Sequence, residues 1–188
     1  IGDPFNGPGP SFDATYAAAF QAFRAAHGEL LGYVYTSYGA RSIGDVEADM
    51  LTWLAWYPID GFFVDEMDTT PGAHEAYYQA LTQFARAHLP GARVVANPGV
   101  NTVPSYLEYN GAPVVSALCI FEHSVNALTW TAAPWIATKP RSAFYALPYG
   151  VSAAQWTAAV EHAFAQHCGF VYATDDVLPN PWDTLPSW

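Results

Sequence analysis

Gly61-Phe62-Phe63-Val64-Asp65-Glu66 runs through three apolar side chains and then ends in two carboxylates. The run is too short for a helix and has no polar alternation, so it reads as a strand buried on both faces, the habit of strands in parallel sheets. Its two acids stand at the strand's C-terminal end. Just upstream, Val46, Met50, Trp53 and Tyr57 share one face of a helix that Pro58 stops. Before that come a Tyr/Val/Leu-rich strand over 30–36 and a helix with Tyr16, Phe20, Phe23 and His27 on one face, closed by Gly28. Residues 1–5 make a short strand end ahead of the turn Asn6-Gly7-Pro8-Gly9-Pro10.

The same alternation continues downstream. Tyr77, Leu81 and Phe84 mark a helix that ends at Pro90-Gly91, and a strand follows over 92–96. A short helix over 103–109 precedes an apolar strand over 114–121; residues 124–139 are ambiguous, with a helical turn or two around 127–131. A strand over 142–147 leads to a helix opened by the Ser152/Gln155 capping box, with Trp156, Val160, Phe164 and His167 along it. A strand over 168–174 and a Pro/Trp-rich tail over 178–188 complete the chain. Strand and helix recur about every 30 residues, the βαβ unit, with no linker or low-complexity stretch. The expected fold is α/β, one domain over 1–188, a (β/α)8 TIM-type barrel with about seven strands in place of eight. A doubly wound open sheet competes, but no strand is followed by a glycine-rich phosphate loop.

Composition narrows the function. Charged residues are 12% and apolar residues 52% of 188, which excludes disorder, and no apolar run reaches the ~18 residues of a membrane span. Six basic against 17 acidic residues give a net charge of −11, so nucleic acid and anionic membrane are not expected partners. Aromatic residues at 16% point instead to neutral or cationic ligands that stack on rings. Cys119 and Cys168 lie in or beside strand-like runs and read as buried free thiols. The six histidines lack metal-ligand spacing and there is no Gly-x-Ser-x-Gly elbow, so neither a metal, a cofactor nor a serine nucleophile is expected.

The sparse acids have a pattern. Asp65 and Glu66 follow Gly-Phe-Phe-Val, Glu122 follows Ala-Leu-Cys-Ile-Phe, and Asp175 and Asp176 follow Phe-Val-Tyr-Ala-Thr. Strand ends in a parallel barrel converge on one face, where active sites are built. Paired carboxylates beside a dry core are what glycosidic cleavage requires, one as acid and one as nucleophile or base. A single acid after a strand is more often a helix cap or a loop residue, which is the reading for Asp68. Around the same ends stand Tyr33, Tyr35, Tyr38, Asn97, Tyr145, Tyr149 and Tyr172, rings and amides suited to sugars; core packing is the alternative for Tyr33 and Tyr145. Arg41 either pairs with a strand-end carboxylate or caps the next helix, and His123 stands beside Glu122.

Gly7-Pro8-Gly9, Gly32-Tyr33-Val34-Tyr35-Thr36-Ser37-Tyr38-Gly39-Ala40-Arg41, Trp56-Tyr57, Gly61-Phe62-Phe63-Val64-Asp65-Glu66, Asn97-Pro98-Gly99, Phe121-Glu122 and Asn180-Pro181-Trp182 to Leu185-Pro186-Ser187-Trp188 together form a recognisable set. On these blocks the chain resembles the spherulin-4-like family of glycoside hydrolases, which includes fungal enzymes that cut the α-1,4-linked galactosaminogalactan of biofilms. The resemblance implies a secreted (β/α)8 hydrolase with acids at the ends of barrel strands four and six, matched here by Asp65, Glu66 and Glu122. The family's chains carry another strand and helix before the segment that starts at Ile1, so the first barrel strand is expected to be absent and the domain N-terminally incomplete. Asp3 stands where an asparagine is expected.

The expected mechanism is a retaining cleavage of an α-linked amino-sugar polymer, with Asp65 as nucleophile, Glu122 as general acid/base and Glu66 orienting a neighbour or a sugar hydroxyl. Side chains alternate along a strand, so only one of Asp65 and Glu66 is expected to face the site; the swapped assignment remains open. Asp3, Tyr35, Tyr38, Arg41, Asn97, His123, Tyr149, Tyr172 and Asp175 are the expected sugar contacts. Two alternatives stand: a non-catalytic carbohydrate-binding or structural protein, and a hydrolase of a different α-linked glycan.

Overall fold

Residue 61 has to be glycine. A β-carbon there would lie 1.9 Å from the carbonyl oxygen of Arg93, so only bare backbone lets this strand lie against its neighbour. The computed structural model describes residues 1–2, 5–124 and 126–188; Asp3, one of the expected sugar contacts, lies outside the described residues. The chain forms two compact units, Ile1–Asn97 with Ser105–Ser116, and Pro98–Pro104 with Ala117–Trp188.

The first unit runs α1 (Ala14–Ala25), β1 (Leu31–Tyr35), α2 (Ile43–Trp56), β2 (Gly61–Asp65), α3 (Glu75–His88), β3 (Arg93–Ala96) and a small hairpin of β4 (Glu108–Tyr109) and β5 (Ala112–Pro113). β2 lies between β1 and β3, all parallel, with Tyr33 opposite Phe63, Tyr35 opposite Asp65 and Val64 opposite Ala96. The expected N-terminal stub is present as a parallel bridge from Gly2 to Gly32. Parallel strands end on a common edge, so residues 36, 66 and 97 leave the sheet from the same side.

Helix α2 has the expected face. Val46, Met50 and Trp53 are fully buried, and burial of Val46 or Met50 contributes roughly 1.5–3 kcal/mol each. Trp53 also donates its indole N–H to Tyr33 O at 2.8 Å. The other helices differ from expectation. α1 buries Phe20 alone and leaves Tyr16 and Phe23 exposed, the Phe23 ring lying over Gly28 where a β-carbon would collide with it. α3 keeps Leu81 inward as expected, but Tyr78, Thr82 and Ala85 join it in place of Tyr77 and Phe84. The rotation follows from polar ties: Tyr78 OH shares a hydrogen bond with Thr36 Oγ1 at 3.1 Å, and Thr82 Oγ1 donates to Val114 O. The expected helix over 103–109 shrinks to one 3-10 turn, Pro104–Tyr106, followed by the hairpin.

The second unit runs β6 (Ala117–Phe121), 3-10 turns at Pro134–Thr138 and Arg141–Ala143, β7 (Phe144–Ala146), α4 (Ala153–Ala165) and β8 (Phe170–Val171). β7 lies between β6 and β8, again all parallel, with Leu118 opposite Phe144 and Tyr145 opposite Phe170. The capping box forms: Gln155 Oε1 accepts from Ser152 N at 3.3 Å and from Ser152 Oγ at 2.8 Å. α4 buries Ala159 and Ala163 and leaves Trp156 and Phe164 exposed. Just past the helix end Cys168 N donates back to Ala163 O at 3.0 Å, closing its last turn. Both cysteines are buried and free, as expected, and burial pushes the Cys168 thiol up to about 12. Among the described residues no helix is long and apolar enough to cross a membrane.

Candidate functional site

In the first unit, strand alternation puts Phe63 and Asp65 on one side of β2, and the register puts Tyr33 on the same side of β1. The Tyr33 ring stacks on Phe63 with centroids 6.1 Å apart, which carries its hydroxyl forward to Asp65 Oδ2 at 2.8 Å. Asn97, the first residue past β3, donates its Nδ2 to Asp65 Oδ1 at 2.8 Å. One carboxylate is thus oriented by donors from both neighbouring strands. Tyr33, for which core packing was the alternative, is one of its ligands.

Glu66 lies past the strand end in the left-handed region, with φ at +52°, a strained conformation for a side chain of this kind. The alternation expected to separate Asp65 from Glu66 therefore does not extend to Glu66. Glu66 O is held there by Tyr38 N at 2.8 Å and Thr36 Oγ1 at 2.8 Å. The segment facing it has three successive positive φ values, at Ser37, Tyr38 and Gly39, and Tyr38 is exposed.

Arg41 takes neither of its two expected roles. Its Nη2 pairs with Asp49 of α2 at 2.6 Å, its Nη1 donates to Tyr35 O at 3.1 Å, and its guanidinium lies 4.3 Å over the Tyr35 ring. Arg41 and Tyr35 thus form an internal cation–π pair. Asp68 behaves as the expected loop residue, accepting from Thr70 N and Oγ1, Tyr106 OH and His74 Nδ1, the last at 2.7 Å. Burial alone would raise its pKa, but the bonds from His74 and Thr70 outweigh burial and hold it down at about 2. Sequence reasoning passed over Glu75, which is 2% exposed and accepts from Ser105 Oγ at 2.6 Å and Gly72 N at 2.8 Å.

In the second unit, Glu122 is the first residue past β6. Its N–H donates to Gly99 O at 2.8 Å, and its Oε1 accepts from the indole Nε1 of Trp182 at 3.0 Å. Trp182 gathers other expected contacts: Tyr149 meets it edge-on at 6.0 Å, Tyr172 lies at 6.1 Å, and His123 stacks on Tyr149 at 6.0 Å. Beside this group is a depression of about 290 Å³, lined by Gly99, Phe121, His123, Asn126 and Trp130, with Phe121 and Trp130 stacked at 4.8 Å. Asp175 and Asp176 tie down the tail. Asp175 accepts from Ser187 N at 3.0 Å and from Ser187 Oγ, and these bonds lower its pKa; Asp176 accepts from Thr184 Oγ1. The only sequence signal for Trp182 is its place in the Asn-Pro-Trp block.

The structure of Sph3 from Aspergillus clavatus, crystallised in complex with GalNAc, matches with a TM-score of 0.81 at 22% identity, covering 98% of this chain and 79% of that one. This likeness shows the fold, an α/β barrel of the TIM type. Spherulin-4 of Physarum polycephalum is 31% identical over 140 residues, and the match takes in 73% of this chain and 40% of that protein. The model of spherulation-specific family 4, Spherulin4, matches residues 1–188 from end to end, and the chain belongs to that family.

Proposed function

We propose that this chain is a glycoside hydrolase that cleaves an α-linked amino-sugar polymer of the α-1,4-galactosaminogalactan type, in endo fashion and with retention of configuration. The observation that carries the reading is the fold shared, over 98% of the chain, with a protein crystallised with GalNAc. Acids at the C-terminal end of β2 and directly past the end of β6 support it, since enzymes of this fold build their sites from such positions.

In this reading an Asp65 oxygen attacks the anomeric carbon as the glycosidic C–O bond breaks, and Glu122 gives its proton to the departing oxygen. Water, losing a proton to Glu122, then attacks the same carbon and releases Asp65. Tyr33 and Asn97 orient the nucleophile, and Glu66 orients a sugar hydroxyl. Tyr38, His123, Tyr149 and Tyr172 offer rings and polar edges to neighbouring sugars. Asp3 is a further sugar contact in this reading. Tyr35 with Arg41, and Asp175, serve by holding the loops that carry the other contacts.

Reducing-end release from purified galactosaminogalactan tests the proposal. Glu122→Gln is expected to lower turnover by a factor of about 10²–10⁴, the range for loss of a general acid/base, with an unchanged melting temperature. Turnover at the wild-type level would remove Glu122 from the mechanism. Polymer binding by the wild-type chain without any release would favour the carbohydrate-binding alternative.

A further inference from the structure

We infer that Trp182 is the positioning residue of Glu122, fixing which carboxyl oxygen carries the proton given to the leaving sugar; this rests on the reading of Glu122 as general acid/base. The indole Nε1–H lies 3.0 Å from Glu122 Oε1. An indole N–H donates and never accepts, so Oε1 stays an acceptor and the transferable proton resides on Oε2. The bond also stops rotation of the carboxyl group, so the proton leaves and returns along one direction. In the retaining cycle Glu122 loses that proton from Oε2 to the leaving oxygen and regains one there from water.

The surroundings fit a device that presents this N–H. Tyr149 meets the indole at 85° and Tyr172 at 54°, holding the ring from two directions. Trp182 N donates to Asn180 Oδ1 at 3.1 Å, and the flanking tail is pinned by Asp176 to Thr184 and by Asp175 to Ser187. Trp182 remains 37% exposed. Its polar edge, rather than its volume, is the part engaged with the acid.

Trp182→Phe keeps an aromatic ring, though a smaller one, and removes the donor. On purified galactosaminogalactan its kcat is expected to fall about tenfold, with KM within about twofold and the melting temperature unchanged. A tenfold loss corresponds to about 1.4 kcal/mol of transition-state stabilisation. A raised KM at unchanged kcat would make Trp182 a sugar platform only, and a lowered melting temperature with unchanged kinetics would make it structural; either overturns the inference. A second readout is independent of catalysis: in ¹⁵N–¹H spectra the Trp182 indole signal, assigned by its loss in Trp182→Phe, is expected to shift in Glu122→Gln. An unmoved signal overturns the contact itself. Full activity in Glu122→Gln would instead sink the assignment of the acid, whereas an inactive Glu122→Gln beside an unimpaired Trp182→Phe sinks only the positioning role.

Discussion

Asp65 accepts from Tyr33 on one oxygen and from Asn97 on the other, each at 2.8 Å, so the plane of the carboxylate is fixed from two strands at once. A carboxylate has about four acceptor positions, which leaves each oxygen a lone pair for a substrate. Tyr33→Phe would keep the stack on Phe63 and remove one tether. Hydrogen bonds to charged groups are worth about 1.5–3 kcal/mol, so kcat on galactosaminogalactan is expected to fall roughly tenfold or more with KM little changed. An unchanged kcat would show the tether to be idle. At this scale the sequence is uneven evidence. Asp65 stands out because it ends an apolar run in a chain poor in charge. Tyr33 does not, because its partnership depends on a register that places residue 33 opposite residue 63. Glu66 resists reading for another reason: nothing in a glutamate announces a φ of +52°.

The loop from β2 into α3 shows how an element's boundary is set by polar ties that a hydrophobic pattern does not reveal. Asp68 reaches His74, the residue preceding α3, at 2.7 Å, while the hydroxyl of Tyr78 in that helix accepts from Asp68 N at 2.8 Å. These contacts turn Tyr77 and Phe84 away from the core while Leu81 stays inward. In α4 the large residues again misled, since Ala159 and Ala163 face inward. Strands were easier to place, because a run such as 117–121, buried at every position, is visible as apolar sequence. The Asp68 contacts also have a pH signature. A carboxyl held at about 2 in the folded chain, below its ordinary 3.8, adds stability above pH ~4 that is lost as pH falls toward 2. The contribution is about 2 kcal/mol at most. Asp68→Asn is therefore expected to melt lower than the wild type at pH 7, with the gap closing between pH 4 and 2. Melting temperatures across that range check it, and the difference between the two proteins isolates Asp68 from Glu75 and Asp175, whose pKa values are also lowered. A gap that stays constant with pH would mean that Asp68 acts through packing alone.

For the whole molecule, the alternation of strand and helix was legible because each βα unit repeats the same hydrophobic grammar. The division into two units was not, since no change of composition marks 97–98 or 116–117. Net charge is a property of the entire chain, and it bears on the substrate rather than on the fold. Eleven negative charges in excess at pH 7 repel an anionic polymer and attract one whose amino sugars are partly deacetylated and hence cationic. Such attraction acts over roughly 10 Å at 0.1 M salt and about 3 Å at 1 M. If charge guides the encounter, KM for partly deacetylated galactosaminogalactan is expected to rise several-fold between those salt concentrations while kcat holds. The fully N-acetylated polymer carries no ammonium groups, so its KM is expected to stay within about twofold over the same range. Stacking and hydrogen bonds to the rings respond to salt alike for both polymers, so the contrast between them isolates the electrostatic part. Equal salt responses would assign the acidity to solubility and leave recognition to the aromatic side chains.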